Sequence, residues 1–134
     1  MDIRNGIYYD PERELWVNPV AETAVISYQT MTIPINTALS DIIDLEGKSI
    51  KRIIFPSAWT AADVSFLTGE TSATVSSIYK EDGTEVTVKA AASRGISLAN
   101  PTPLSALSFF QIRSGVVATP VNQLAERKIT LVLV

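Results

Sequence analysis

The feature that most constrains this chain is a period-two alternation of apolar and polar residues, rich in β-branched side chains. It begins near Ala24 and is broken every 8 to 12 residues or so by turn-forming residues. Successive side chains on a strand point to opposite faces, so Val86 and Val88 share one face while Glu85, Thr87 and Lys89 share the other. Ile96 and Leu98 stand in the same relation to Ser97, and Ile129, Leu131 and Leu133 to Lys128 and Thr130. The pattern predicts strands over residues 24–35, 38–44, 50–55, 64–68, 74–79, 85–89, 95–98, 107–113 and 128–134. The last of these is apolar on both faces at its end, through Val132 and Val134, and is therefore expected to be central or covered. Between Ile78 and Val86 the run reads as a tight hairpin in which Gly83 supplies a positive φ. Residues 58–63 and 121–128 have helix-forming composition, but each is short and lies close behind Pro56 or Pro120, so loops or single turns are expected. The fold class that follows is all-β: an antiparallel, jelly-roll-like β-sandwich of about eight or nine short strands, forming one domain over residues 24–134.

Residues 1–23 are different in kind. They carry Pro11 and Pro19, sustain neither helical nor strand period, and hold five acids against two bases, whereas the acids and bases of the remaining chain balance. They also carry Ile7, Tyr8, Tyr9, Leu15 and Trp16, which a solvated tail would lack, because large apolar groups in water are unfavourable by about 1.5–3 kcal/mol each relative to burial. An extended N-terminal arm is expected, with these five residues as partner-binding anchors. It either docks on another molecule or packs on its own domain. A neutral body behind an acidic leader lacks the clustered Lys and Arg of a phosphate-binding surface, so nucleic acid is not an expected partner. No apolar run approaches the roughly 20 residues that span a bilayer, and charges interrupt the first 18 residues where a secretory signal would need an apolar core. No membrane partner is expected, and the chain is expected to be made in the cytoplasm.

Cysteine and histidine are both absent. That removes thiolate and imidazole nucleophiles, bases and metal ligands, and any disulfide framework. Serine would need lysine as its activating base, and the nearest run, Ser76-Ser77-Ile78-Tyr79-Lys80, sits at the end of a predicted strand rather than on a helix. The best hard-cation cluster is Asp41, Asp44 and Glu46. It lacks the alternation and central glycine of a calcium loop, and is read as solvated strand-edge charge. The acids Glu81, Asp82 and Glu85 surround a hairpin tip and are explained by the turn. No catalytic residue, metal site or cofactor is expected, and the chain is read as non-enzymatic. Trp59, Phe66, Tyr79 and Arg94 are the residues from which a sandwich would build a sugar platform, with Trp59 and Arg94 as possible glycan-binding residues. The competing reading puts Trp59 and Phe66 in the core.

From about Ile35 to Val132 a series of runs recurs in order: Ser49-Ile50-Lys51-Arg52-Ile53-Ile54-Phe55-Pro56, Ala58-Trp59-Thr60-Ala61-Ala62-Asp63-Val64-Ser65-Phe66, Tyr79 with Asp82-Gly83-Thr84-Glu85-Val86-Thr87-Val88, and Ala92-Ser93-Arg94 with Ile96 and Leu98. Ile112-Arg113-Ser114-Gly115 and Pro120-Val121-Asn122-Gln123 follow, leading into Glu126-Arg127 and the final strand. This series resembles a family of small β-sandwich structural proteins of tailed bacteriophages. The chain departs from it at Gly69-Glu70-Thr71-Ser72, where similar proteins carry a longer Asp-Gly hairpin, and residues 1–30 lie outside it. The resemblance implies a virion component made in the host bacterial cytoplasm. The leading expectation is a capsid decoration or cement protein whose arm grips the major capsid protein or other virion proteins, with avidity from many copies on a lattice. A neck or tail connector or fibre-base protein is the second reading, and a surface module binding host glycan the third. A homo-oligomer is expected in each case, a trimer being the guess for threefold lattice positions.

Overall fold

The computed structural model describes residues 25–99 and 102–134 in full. Upstream it describes three short strands by their backbone, β1 (Ile3–Arg4), β2 (Ile7–Asp10) and β3 (Leu15–Val17), which pair with one another in the order β1-β2-β3. Within the leading segment the backbone thus folds back on itself as a small meander. The anchoring roles expected of Ile7, Tyr8, Tyr9, Leu15 and Trp16 concern side chains that lie outside the described residues.

Nine further strands follow: β4 (Ser27–Ile33), β5 (Ile43–Asp44), β6 (Ile50–Ile54), β7 (Val64–Gly69), β8 (Ser76–Ser77), β9 (Thr87–Val88), β10 (Gly95–Ser97), β11 (Phe109–Ser114) and β12 (Arg127–Leu133). There is no helix among the described residues. One sheet has the order β10-β6-β12-β4, and the other β5-β11-β7-β8 with β9 also paired to β7, every pairing being antiparallel. The pairings nest about the hairpin at residues 80–84. β7 pairs with β8 and β9, β6 with β10, β5 with β11 and β4 with β12. A long hairpin rolled in this way is a jelly roll, with one strand position shared by β8 and β9.

The inward faces make the core. Met31 and Ile33 of β4, Ile129, Leu131 and Leu133 of β12, and Ile50 and Ile53 of β6 meet Val64 and Phe66 of β7 and Phe110 and Ile112 of β11. Phe66 and Phe110 stack at its centre with ring centroids 5.5 Å apart. Ile50 and Ile53 are three apart, a spacing that would put them on opposite faces of a regular strand. The β6–β12 register shifts between Val132 and Leu133, so that Ile50 opposes Leu133 while Arg52 opposes Val132, and both isoleucines reach the core. β12 is an interior strand flanked by β6 and β4, as its two-sided apolar end predicts.

Two turns match their residues. Gly83 has φ +89°, and the Lys80 and Gly83 amides donate to Thr84 and Lys80 carbonyls, a turn closed by a left-handed glycine. At Glu46 and Gly47, φ is +52° and +77° and the Lys48 amide donates to the Leu45 carbonyl, so the chain reverses from β5 into β6 on the other sheet. The predicted strand over residues 38–44 is interrupted. Leu39 bridges Arg113 on one sheet, but the Asp41 amide donates to Thr32 of β4 on the other, and only Ile43–Asp44 returns to β11. The segment therefore crosses between the sheet edges instead of forming one continuous ladder.

Candidate functional site

Residues 56–63 join β6 to β7 and carry Trp59. Its ring meets Phe55 edge-on, centroids 5.1 Å apart, and its Nε1–H donates to the Ala62 carbonyl at 3.0 Å. It is half-buried and packs against the core, so its inner edge is structural. With Ala61, Ala62, Asp63, Ala90, Ala91 and Ala92 it lines an open cleft of about 410 Å³. Asp63 at the rim faces Lys89 at 3.6 Å, an exposed ion pair that contributes little to stability. Arg94 does not line the cleft. Its Nη1 donates to the Lys89 carbonyl at 3.0 Å and its own carbonyl accepts from Phe55, so it shapes the 89–94 loop that forms the far wall. Of the other platform candidates, Phe66 is fully buried in the core and Tyr79 stands exposed on the hairpin. Of the four, Trp59 lines the cleft described.

The acidic clusters resolve into backbone caps. Asp41 Oδ1 accepts the Thr32 amide at 2.7 Å and Asp44 Oδ1 the Glu46 amide at 2.9 Å. Among the described residues no group of three or more acids converges to hold a metal ion. Asp82 Oδ1 accepts both the Thr84 hydroxyl at 2.6 Å and the Thr84 amide at 2.9 Å, and these bonds, the hydroxyl first, hold its carboxyl below the usual carboxylate range. Glu85 does more than decorate the turn. It meets Arg113 at 3.4 Å where both side chains are largely buried, and it accepts the Val117 amide. The other arm of Arg113 donates to Ser77 Oγ at 3.1 Å, which ties β11, the hairpin and residues 115–119 together.

The residue that composition concealed is Gln123. It is fully buried and its amide makes four hydrogen bonds: Oε1 accepts from the Thr60 amide at 2.9 Å and from Arg127 Nε at 3.1 Å, while Nε2 donates to the Thr60 carbonyl at 3.0 Å and to Ser114 Oγ at 2.7 Å. The side chain serves Thr60 as a neighbouring strand would. It latches the loop bearing Trp59 to β11 and β12. Within Val121-Asn122-Gln123-Leu124, a short polar segment after a proline, nothing distinguishes this glutamine from a solvated one.

The described surface exposes large apolar groups in several places. Val25, Ile26 and Tyr28 are 72, 59 and 69% exposed where the leading segment enters β4. Ile35, Leu39, Val117 and Leu124 are exposed elsewhere, and Leu39 with Pro34, Ala38 and Pro120 lines an open groove of about 510 Å³. No family model, curated protein or solved structure matches this chain at a significant level.

Proposed function

We propose that the protein is a non-enzymatic virion structural protein of a tailed bacteriophage, a capsid decoration or cement protein that docks through its leading segment on the major capsid protein. The observation that carries this reading is the exposed strip Val25, Ile26 and Tyr28. It continues into the sandwich the apolar and aromatic series Ile7, Tyr8, Tyr9, Leu15 and Trp16. Val25, Ile26 and Tyr28 stand outside the core cluster, so their apolar surface is available to a partner, and aromatic anchors are frequent hot spots at such contacts. Repetition on a symmetric shell would multiply a modest contact into firm attachment.

Deleting residues 1–20 tests the reading. The truncated chain is expected to fold and to be missing from assembled particles, and normal incorporation would refute docking through this segment. Copies per particle, counted by mass spectrometry against the major capsid protein, separate decoration from a neck or tail position. A simple fraction of the shell subunit supports the first, and a ratio of about one in fifty or lower the second.

The Trp59 cleft favours one further reading, weak binding of host glycan at the virion surface. An exposed indole edge beside small alanines and a carboxylate suits the apolar face and the hydroxyls of a sugar. Because Trp59 also supports Phe55, Trp59→Ala confounds binding with folding. Ala91→Gln narrows the cleft from the opposite wall and is expected to abolish binding on a glycan array while leaving the sandwich intact.

A further inference from the structure

The edge of β4 differs from the other sheet edges. The first sheet ends at β10, three residues long, and the second at β5, β8 and β9, two residues each, whereas β4 spans seven residues. Edges of this length are normally blunted by lysine, proline or a bulge. Here the chain has no charged residue between Glu22 and Asp41, and no proline between Pro19 and Pro34. The one blunting device is Asp41, whose carboxylate and amide occupy the amide and carbonyl of Thr32. Those contacts show that Thr32 turns its backbone groups away from β12. Antiparallel alternation then aims the groups of Thr30 and Tyr28 the same way, while Ser27, Gln29, Met31 and Ile33 face β12, and continuing the alternation one residue before β4 does the same for Ile26.

We propose that this edge pairs with the same edge of a second copy, antiparallel about a twofold axis at Tyr28. A row of outward amides and carbonyls is satisfied by another strand, and this row is self-complementary. Tyr28 faces Tyr28 of the other copy, and Ile26 faces Thr30 in both directions. All three outward residues find partners and pairing stops where Asp41 caps Thr32. The two four-stranded sheets become one continuous eight-stranded sheet. Its outer face carries the cross-strand row Ser97-Arg52-Val132-Tyr28 of each copy up to the axis, where the exposed tyrosines meet. No charge opposes a like charge along the seam, and Val25 and Ile26 flank it with apolar surface.

Sedimentation equilibrium of the full chain tests this. The weight-average mass is expected to rise from 14.5 kDa toward about 29 kDa between about 10 µM and about 1 mM. Thr30→Pro removes an outward amide that β12 does not use, and Tyr28→Lys places two ammonium groups at the axis on an exposed position. Each is expected to hold the mass at 14.5 kDa over the same range with native circular dichroism. In the unaltered chain, amide exchange at Tyr28 and Thr30 is expected to slow several-fold with concentration, while Gln29 and Met31 do not change. A monomer throughout, a three-copy mass, folded variants that dimerise unchanged, or Tyr28 and Thr30 amides protected equally at all concentrations would each overturn the proposal.

Discussion

Replacing Gln123 with methionine conserves side-chain volume and deletes four hydrogen bonds, which isolates the polar contribution of the latch from that of its packing. A neutral hydrogen bond contributes about 1 kcal/mol net, and a buried donor or acceptor left unpaired costs about 1–3 kcal/mol. The Thr60 amide and carbonyl and the Ser114 hydroxyl all lose partners, while Arg127 retains a bond to Thr60 Oγ1 at 3.2 Å. The loss should be about 3–5 kcal/mol, a large share of the about 5–15 kcal/mol that holds a domain of this size together. With a urea slope near about 1.5 kcal/mol per molar, the midpoint should fall by about 2–3 M at unchanged slope. Urea titration followed by circular dichroism measures it, and amide exchange at Thr60 and Leu124 shows whether the loop is released first. Gln123→Ala adds a cavity and should cost at least as much. A methionine variant within about 1 kcal/mol of the native protein would refute the reasoning, since the amide would then be exchanging bonds with water at no net gain.

Glu85→Ala leaves the largely buried Arg113 with serine hydroxyls alone and frees the Val117 amide, so a loss of about 2–4 kcal/mol is expected in the same titration. Asp82 should titrate by NMR below the ordinary value of 3.8, and Thr84→Val, which removes the dominant hydroxyl bond, should raise the midpoint toward it. Because the folded pKa is depressed, its stabilising contribution is present above the unfolded value and is lost as pH falls through the folded one. Gly115→Ala should destabilise strongly. At φ +88° an added Cβ would sit 2.5 Å from the Thr119 carbonyl oxygen and 2.7 Å from the Val121 amide, both backbone, and a thermal midpoint lowered by less than about 2 °C would show that this loop yields freely.

Strand positions were legible because alternation and burial are the same fact seen twice. Val86 is buried and Val88 packs on the core while Thr87 and Lys89 are exposed, as their order along the chain implies. Legibility failed where a tertiary contact overrides the local pattern. Ile50 and Ile53 require a register shift set by β12, and residues 38–44 read as one strand until Asp41 is seen to bond to the other sheet. Trp59 was recognisable as either floor or core because its sequence position sits between the two, and the structure makes its inner edge core and its outer edge the wall of a cleft. Gln123 was illegible for a deeper reason. Its partners lie 63 residues back at Thr60 and 9 back at Ser114, and no local property of a glutamine records whether its amide faces water or a distant backbone.

The distribution of satisfied polar groups bears on what the molecule does. Around residues 113–127 several polar side chains are committed inward: Gln123 to Thr60 and Ser114, Arg113 to Glu85 and Ser77, and Glu85 to Val117. Asp41, Asp44 and Asp82 are likewise committed to neighbouring backbone amides. Groups bound in this way hold the loops and turns they bridge. Beside these, the described residues present the backbone edge at Tyr28 and Thr30, the apolar side chains near it, and the indole edge of Trp59. β4 lies at the edge of its sheet. On the proposed reading, in which β4 and its leader are adhesive, strengthening the latch at Gln123 should leave adhesion unaltered while weakening the strip at Tyr28 should not.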